Sequence, residues 1–243
     1  MKAFGFSVHN EKNFVHRTCN LILIVTAFCV MSLSFFAPIV TEAFSTATAP
    51  YFYGDKNSNK VSLMINVYWG TEYLDEMLDV LKENDIKTTF FVGGYWVAKN
   101  NEMLRKIVAD GHEIGNHGYH HKDQATISTQ QNTDEIYMTQ ELVRSVADVE
   151  MNLFAPPSGS YNNKVLSVAE SLGYKTIMWT RDTIDWRDKD YNLILSRATI
   201  NTVGGDLILM HPTEKTAEAL SAIIACLKVK GLVMTTVTDT LLG

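Results

Sequence analysis

His117 and His121 stand four residues apart, a spacing that on a helical turn aims two imidazoles to one side and lets them grip one divalent ion. The same spacing also suits surface or capping histidines, and His120 between them falls on a different face. His211 follows the apolar run Leu207-Ile208-Leu209-Met210 and precedes Pro212. A histidine titrates near neutral pH, so it can hand a proton to a leaving group. Asp182 and the pair Asp185-Trp186 come shortly after another apolar stretch, which ends at Trp179. Asp182 reads either as a general base or as a strand-end cap. Two further clusters, Asn66-Val67-Tyr68-Trp69-Gly70 and Ala155-Pro156-Pro157-Ser158-Gly159, follow short apolar runs of their own. Glu72, just past the first, is a candidate ligand or base, or a solvated carboxylate favoured by a helix N-terminus.

All five clusters sit at the C-terminal ends of expected strands. Apolar patterning predicts strands over 61–67, 88–92, 112–116, 153–154, 174–179, 206–210 and 233–237. Helices are expected over 73–83, 96–109, 130–151, 163–172, 192–202 and 213–230, with Gly111, Gly173 and Gly231 as stop signals. Strands alternating with helices imply a mainly parallel α/β sheet, and this many units point to a barrel. In parallel barrels the reactive groups gather at the C-terminal strand ends, so the clusters describe one rim.

The run Gly111-His112-Glu113-Ile114-Gly115-Asn116 leads directly into the paired histidines. Together with APPSGSYNNKVLSVAESLGYKTIMWTRDTIDW and LILMHPT, it resembles the polysaccharide deacetylases of carbohydrate esterase family 4, the NodB-homology domain. The resemblance spans residues from about 60 to 242, and the NVYWG and APPSG variants are similar to a subgroup of spore-forming Gram-positive bacteria. It implies a distorted (β/α)7-8 barrel and a divalent metal, usually zinc. The implied reaction is removal of acetyl groups from polysaccharides such as peptidoglycan, chitin or xylan. By the same resemblance His117 and His121 are metal ligands, His211 is the general acid, Asp185 orients it, and Trp186 walls the pocket. Pro157, Gly159 and Tyr161 belong to the loop that lines the groove. The resemblance also sets Asn66 at the family's catalytic base, Val67 at its acidic metal ligand, and Ala155 at the arginine that pairs with the base. An amide is not a base, and valine has no atom to offer a metal. The function expected is therefore a metal-dependent deacetylase with an altered site, or a catalytically inactive glycan-binding relative on the same barrel.

The 243-residue chain is 46% hydrophobic and 20% charged, a mix that excludes wholesale disorder. Its net charge of −6 argues against a partner held through phosphates, so no nucleic acid is expected. Cys19, Cys29 and Cys226 are too scattered for a disulfide framework, and Cys226 reads as a small buried hydrophobe. Residues 18–41 carry no charge and are long enough to span a bilayer. Lys2, Lys12 and Arg17 outnumber Glu11 ahead of them, a flank that stays in the cytoplasm. Residues 1–17 thus read as the cytoplasmic flank and 18–41 as a transmembrane anchor or cleaved signal peptide. Residues 42–59 read as a linker, and 60–243 as the domain outside, either membrane-anchored or secreted. Removing those four charged residues leaves the remainder more acidic than the whole, which disfavours anionic wall polymers.

Overall fold

The computed structural model describes residues 20–26 and 49–243. Residues 20–26 are helical, and among the described residues no helix is long and apolar enough to cross a membrane. The reading of 1–17 and most of the anchor reading of 18–41 lie outside the described residues. The chain divides into two compact units, Met1–Phe44 and Ser45–Gly243, and the second carries the sheet.

Eight strands alternate with helices: β1 (Lys60–Val67), β2 (Thr89–Val92), β3 (Glu113–Asn116), β4 (Leu153–Phe154), β5 (Lys175–Thr176), β6 (Arg181–Asp182), β7 (Leu207–Met210) and β8 (Val233–Met234). Every pairing between them is parallel, in the order β5-β4-β3-β2-β1-β7-β6, with β8 beside the start of β1. The expected distorted (β/α)7-8 barrel is a parallel-sheet half-barrel. The outermost strands β5 and β6 are two residues each and do not pair with one another. Tyr51 bridges to Ile177 and Tyr53 to Asp206 across that side, so the described end of the 42–59 segment is built into the domain.

Alternation along β1 decides what each residue faces. Val61, Leu63, Ile65 and Val67 join the large apolar cluster between the sheet and its helices. Met64 joins a smaller cluster on the inner face with Phe91, Leu153, Ala155, Ile177, Leu207 and Val237. Asn66, two residues beyond Met64, continues that inner face to the rim. The register pairs Asn66 with Phe91, which pairs in turn with Gly115, and Val67 with Val92, which pairs in turn with Asn116.

Several helix boundaries differ from the pattern reading. The helix expected over 96–109 is two, Gly94–Val97 and Asn101–Ala109. The one expected over 130–151 is Thr129–Ala147, opened by a Ser128/Gln131 capping box and closed by Asp148 in the left-handed region. The last strand stops at Met234, where Thr236 caps a further helix, Val237–Leu242, whose Val237 enters the inner cluster. Cys226 is exposed on the helix Glu214–Val229, because its apolar neighbours Ile223, Ile224 and Leu227 already fill the buried stripe.

Candidate functional site

The C-terminal strand ends enclose a cleft of about 480 Å³. Asn66, Tyr68 and Trp69 line it from the end of β1, His117 and His121 from the end of β3, and Ser158 from the turn after β4. Trp179, Asp182 and Trp186 line the side near β6, and Leu209 and His211 the end of β7. Gly70 lets the β1 end approach the β7 end. Its φ is +78°, and a Cβ there would meet the Pro212 carbonyl oxygen at 1.9 Å. That approach stacks the Trp69 indole on the His211 imidazole, with centroids 5.7 Å apart and planes within 9°.

His211 is rigidly placed by Asp185, which is fully buried. One Asp185 oxygen accepts from His211 Nδ1 at 2.8 Å and from the Trp186 amide at 2.8 Å. The other accepts from the His211 amide at 2.7 Å and from Thr216 Oγ1 at 2.6 Å. With Nδ1 committed to the carboxylate, Nε2 is the nitrogen left for the cleft. Asp182 is both a cap and a cleft residue, since its Oδ1 accepts from the Ile184 amide at 2.8 Å while the side chain lines the cavity.

The histidine pair does meet, but not on a helix. Residues 117–121 form a loop in which Gly118 and His121 both have positive φ, and the two rings pack edge to face at 5.1 Å. Burial lowers the pKa of His117 to about 3, aided by the neighbouring His121, and burial also lowers that of His121. Both imidazoles are neutral at pH 7. His117 Nδ1 lies 2.7 Å from the Ala155 carbonyl, where it acts as donor, and Nε2 is its free nitrogen.

Glu135, on the helix Thr129–Ala147, holds this loop, and no sequence motif marks it. Its Oε2 accepts from the Tyr119 and His120 amides at 2.8 and 2.7 Å, and its Oε1 lies 2.8 Å from His120 Nδ1 and 3.4 Å from Lys122 Nζ. His120 is thus a structural partner. Burial opposes ionisation of Glu135, but these donors outweigh it and lower its pKa. Glu135→Ala would strand two amides, and the expected cost is about 2–4 kcal/mol in chemical denaturation.

Among the remaining expected residues, Trp186 lines the cleft and is 52% exposed. Pro157, Gly159 and Tyr161 do not line it. Pro157 is buried beneath Gly118, Gly159 lies under the Trp179 ring, and Tyr161 packs edge-on against Phe52. Ser158, between them, turns its side chain to the cleft because its backbone is left-handed, with φ of 55°. Glu72 is exposed and outside the cleft lining, as the solvated reading has it. Tyr68 and Trp179 complete the aromatic walls. Burial and the Glu135 charge raise the Tyr68 phenol, which keeps it protonated.

The sequence model of the family described as polysaccharide deacetylase matches residues 53–177. The chain belongs to the polysaccharide deacetylase family. This polysaccharide deacetylase homologue is 40% identical over 190 residues to the uncharacterized protein YlxY of Bacillus subtilis, covering 78% of this chain but only 60% of YlxY. It is 30% identical to a peptidoglycan-N-acetylglucosamine deacetylase of Bacillus cereus, over 74% of this chain and 67% of that protein. A solved CE4 family pseudoenzyme from Bacillus anthracis superposes with a TM-score of 0.78 at 39% identity, covering 79% of this chain and 69% of the other. A mutant of that pseudoenzyme, with restored enzymatic activity, superposes equally well.

Deacetylases of this family generally use a divalent metal, so the donor set here bears on chemistry. Among the described residues no group of three or more His, Cys, Asp or Glu side chains is placed to hold a metal ion. Catalytic zinc takes three protein ligands. His117 and His121 supply two, Val67 lies in the apolar cluster on the opposite face, and Asn66 is an amide. The residues present do not complete the site.

Proposed function

We propose that the cleft binds an N-acetylated polysaccharide of the peptidoglycan type, with the acid half of the deacetylase machinery intact and the base and metal half missing. The observation that carries this reading is the pairing of a His211–Asp185 dyad with a two-histidine donor set inside one aromatic-walled cleft. Tyr68, Trp69, Trp179 and Trp186 offer flat apolar faces against which sugar rings pack, a role suited to glycan recognition whether or not hydrolysis follows. The peptidoglycan deacetylase names among the relatives support the substrate class. Residues 18–41 would tether the domain at the outer face of the membrane.

The test is calorimetric titration of the full chain with N-acetylated chito-oligosaccharide and peptidoglycan fragments, alongside an assay for released acetate. Binding with no acetate above background is the expected result, and absence of binding to both ligands overturns the reading. One observation favours a hydrolase instead: the Asp182 carboxylate lines the same cleft as His211. If acetate is released and Asp182→Asn abolishes it while leaving binding intact, Asp182 serves as the base and the hydrolase reading stands.

A further inference from the structure

Strand β6 pairs Arg181 with Ile208 and Asp182 with Leu209. Ile208 belongs to the helix-side cluster and Leu209 lines the cleft, so the pleat sends the two β6 side chains to opposite faces. Arg181 turns outward, its Nε 3.3 Å from Asp206 Oδ2, and Asp182 turns inward to the cleft. The Asp182 Oδ1 accepts from the Ile184 amide, but Oδ2 has no partner among the described residues. Nor is Oδ2 one of the buried unpaired polar atoms, which are Ser62 Oγ, Asn66 Oδ1, Asn101 Oδ1, Gln124 Oε1 and Asn132 Oδ1. It is therefore open to solvent. Among the described residues that line the cleft, none is lysine or arginine. Nearby Arg187 and Arg197 are each taken by Asp188 at 2.6 Å. The His117–His121 pair is neutral at pH 7, and His211 can be charged only against the buried Asp185 carboxylate. The Asp182 charge is thus left unspent.

We propose that the cleft takes a glycan in which the sugar beside Asp182 carries a free primary amine, its ammonium held by the Asp182 carboxylate. A hexosamine meets both features of the site. The C–H face of its ring packs on the aromatic walls. Its positive charge is drawn to Oδ2 and to the negative faces of Tyr68, Trp69, Trp179 and Trp186. An acetamide at the same position brings no charge and leaves the carboxylate unpaired. Hydrolysis of an N-acetyl group by water yields that amine and acetate, so a deacetylation by another enzyme must supply this ligand. The acidic balance of the chain favours the approach of a strand bearing amines. The inference rests on the glycan-binding reading above and adds which sugar is read, and by which atom.

The experiment titrates full-length protein with two chito-oligosaccharides of equal length, one fully N-acetylated and one de-N-acetylated. It is run at about pH 6, where aliphatic amines hold their proton. Wild type is expected to bind the amine-bearing ligand about tenfold more tightly, the scale of a hydrogen bond to a charged group. Added salt should shrink that preference, because the pair is ionic. Asp182→Asn keeps an oxygen for the Ile184 amide and loses the charge, so it should bind both ligands alike at any salt. Equal binding by wild type, or an undiminished preference in Asp182→Asn, overturns the inference while the glycan-binding reading survives. Should the variant fail to fold, a salt-insensitive preference in wild type overturns it instead. A lysine-containing peptide presents the same ammonium without the sugar ring. Binding it as tightly as the amino sugar assigns the cleft to peptide amines and also overturns the inference. Failure of wild type to bind either oligosaccharide overturns both.

Discussion

Acidification from about pH 7 to about pH 4 should remove several kcal/mol of stability, well before most carboxylates are protonated. His112 and His117 contribute most, and His121 is shifted in the same direction by burial. His112 is 7% exposed, and burial lowers its pKa from 6.5 to about 4, with Lys87 adding to the shift. Its Nδ1 accepts from the Thr88 amide at 3.2 Å, and its ring meets the edge of Phe90 at 5.0 Å. A proton on Nδ1 would destroy that acceptor. His117 is lowered to about 3 by burial. In both cases the unfolded chain takes up a proton that the folded chain refuses, so stability rises with pH through this window and falls on acidification. The effect is absent above the unfolded pKa near 6.5 and grows as pH drops toward the folded values. For His112 the gap corresponds to about 3 kcal/mol, a large share of the stability typical of a domain. Glu135 adds to the loss at lower pH, because its depressed pKa is a stabilisation that disappears below the ordinary carboxylate range. The check is denaturant unfolding at several pH values for wild type and His112→Asn, whose amide oxygen can still accept from Thr88. The variant should lose up to about 1.4 kcal/mol per pH unit of slope between pH 6.5 and 4. An unchanged slope would show that His112 is not the sensor.

The sequence disclosed the rim because strand ends are marked twice, by the end of an apolar run and by the polar or glycine-rich cluster that follows. His211, Asp182, Asn66 and Trp186 all line the cleft for that reason, with the buried Asp185 behind His211. Spacing alone misdescribed the histidine pair. An i, i+4 separation suits one helical turn, but Gly118 and His121 in the left-handed region bring the rings together from a loop. Glu135 left no trace, since a carboxylate on a helix looks like any solvated residue until the loop it anchors is seen above it. The closing of the half-barrel by Tyr51 and Tyr53 was equally hidden, because single-residue bridges carry no period. The same limit applies to Val67. A motif reads adjacent residues as neighbours in a site, whereas the pleat sends them to opposite faces of the sheet.

That pleat makes rebuilding the site a demanding test. Asn66→Asp together with Ala155→Arg should install a base and its cationic partner on the same inner face, where Asn66 lines the cleft and Ala155 joins the inner cluster. The arginine offsets the cost of a buried carboxylate and holds it ionised. Val67→Asp must add the third ligand, yet Val67 is fully buried and its side chain belongs to the helix-facing cluster. Introduced alone, that carboxylate should depress the melting temperature sharply in the presence of chelator, because it is an unpaired charge among apolar groups. As the last residue of β1 it has one escape, a twist of the strand end that turns it toward His117 and His121. Zinc should therefore recover the lost stability of Val67→Asp, and wild type should show no comparable gain. With all three substitutions, acetate release from N-acetylated chito-oligosaccharide should exceed wild type by about 10²–10⁴, the usual worth of general-base catalysis. The pair without Val67→Asp should remain near wild type, since groups that act as a unit are strongly non-additive. If zinc fails to stabilise Val67→Asp, the strand register has prevailed and position 67 cannot serve as the ligand. If zinc binds the triple variant stoichiometrically and acetate release still does not rise, the aromatic walls around Tyr68 and Trp69 hold the sugar away from the metal, and the cleft is built for binding alone.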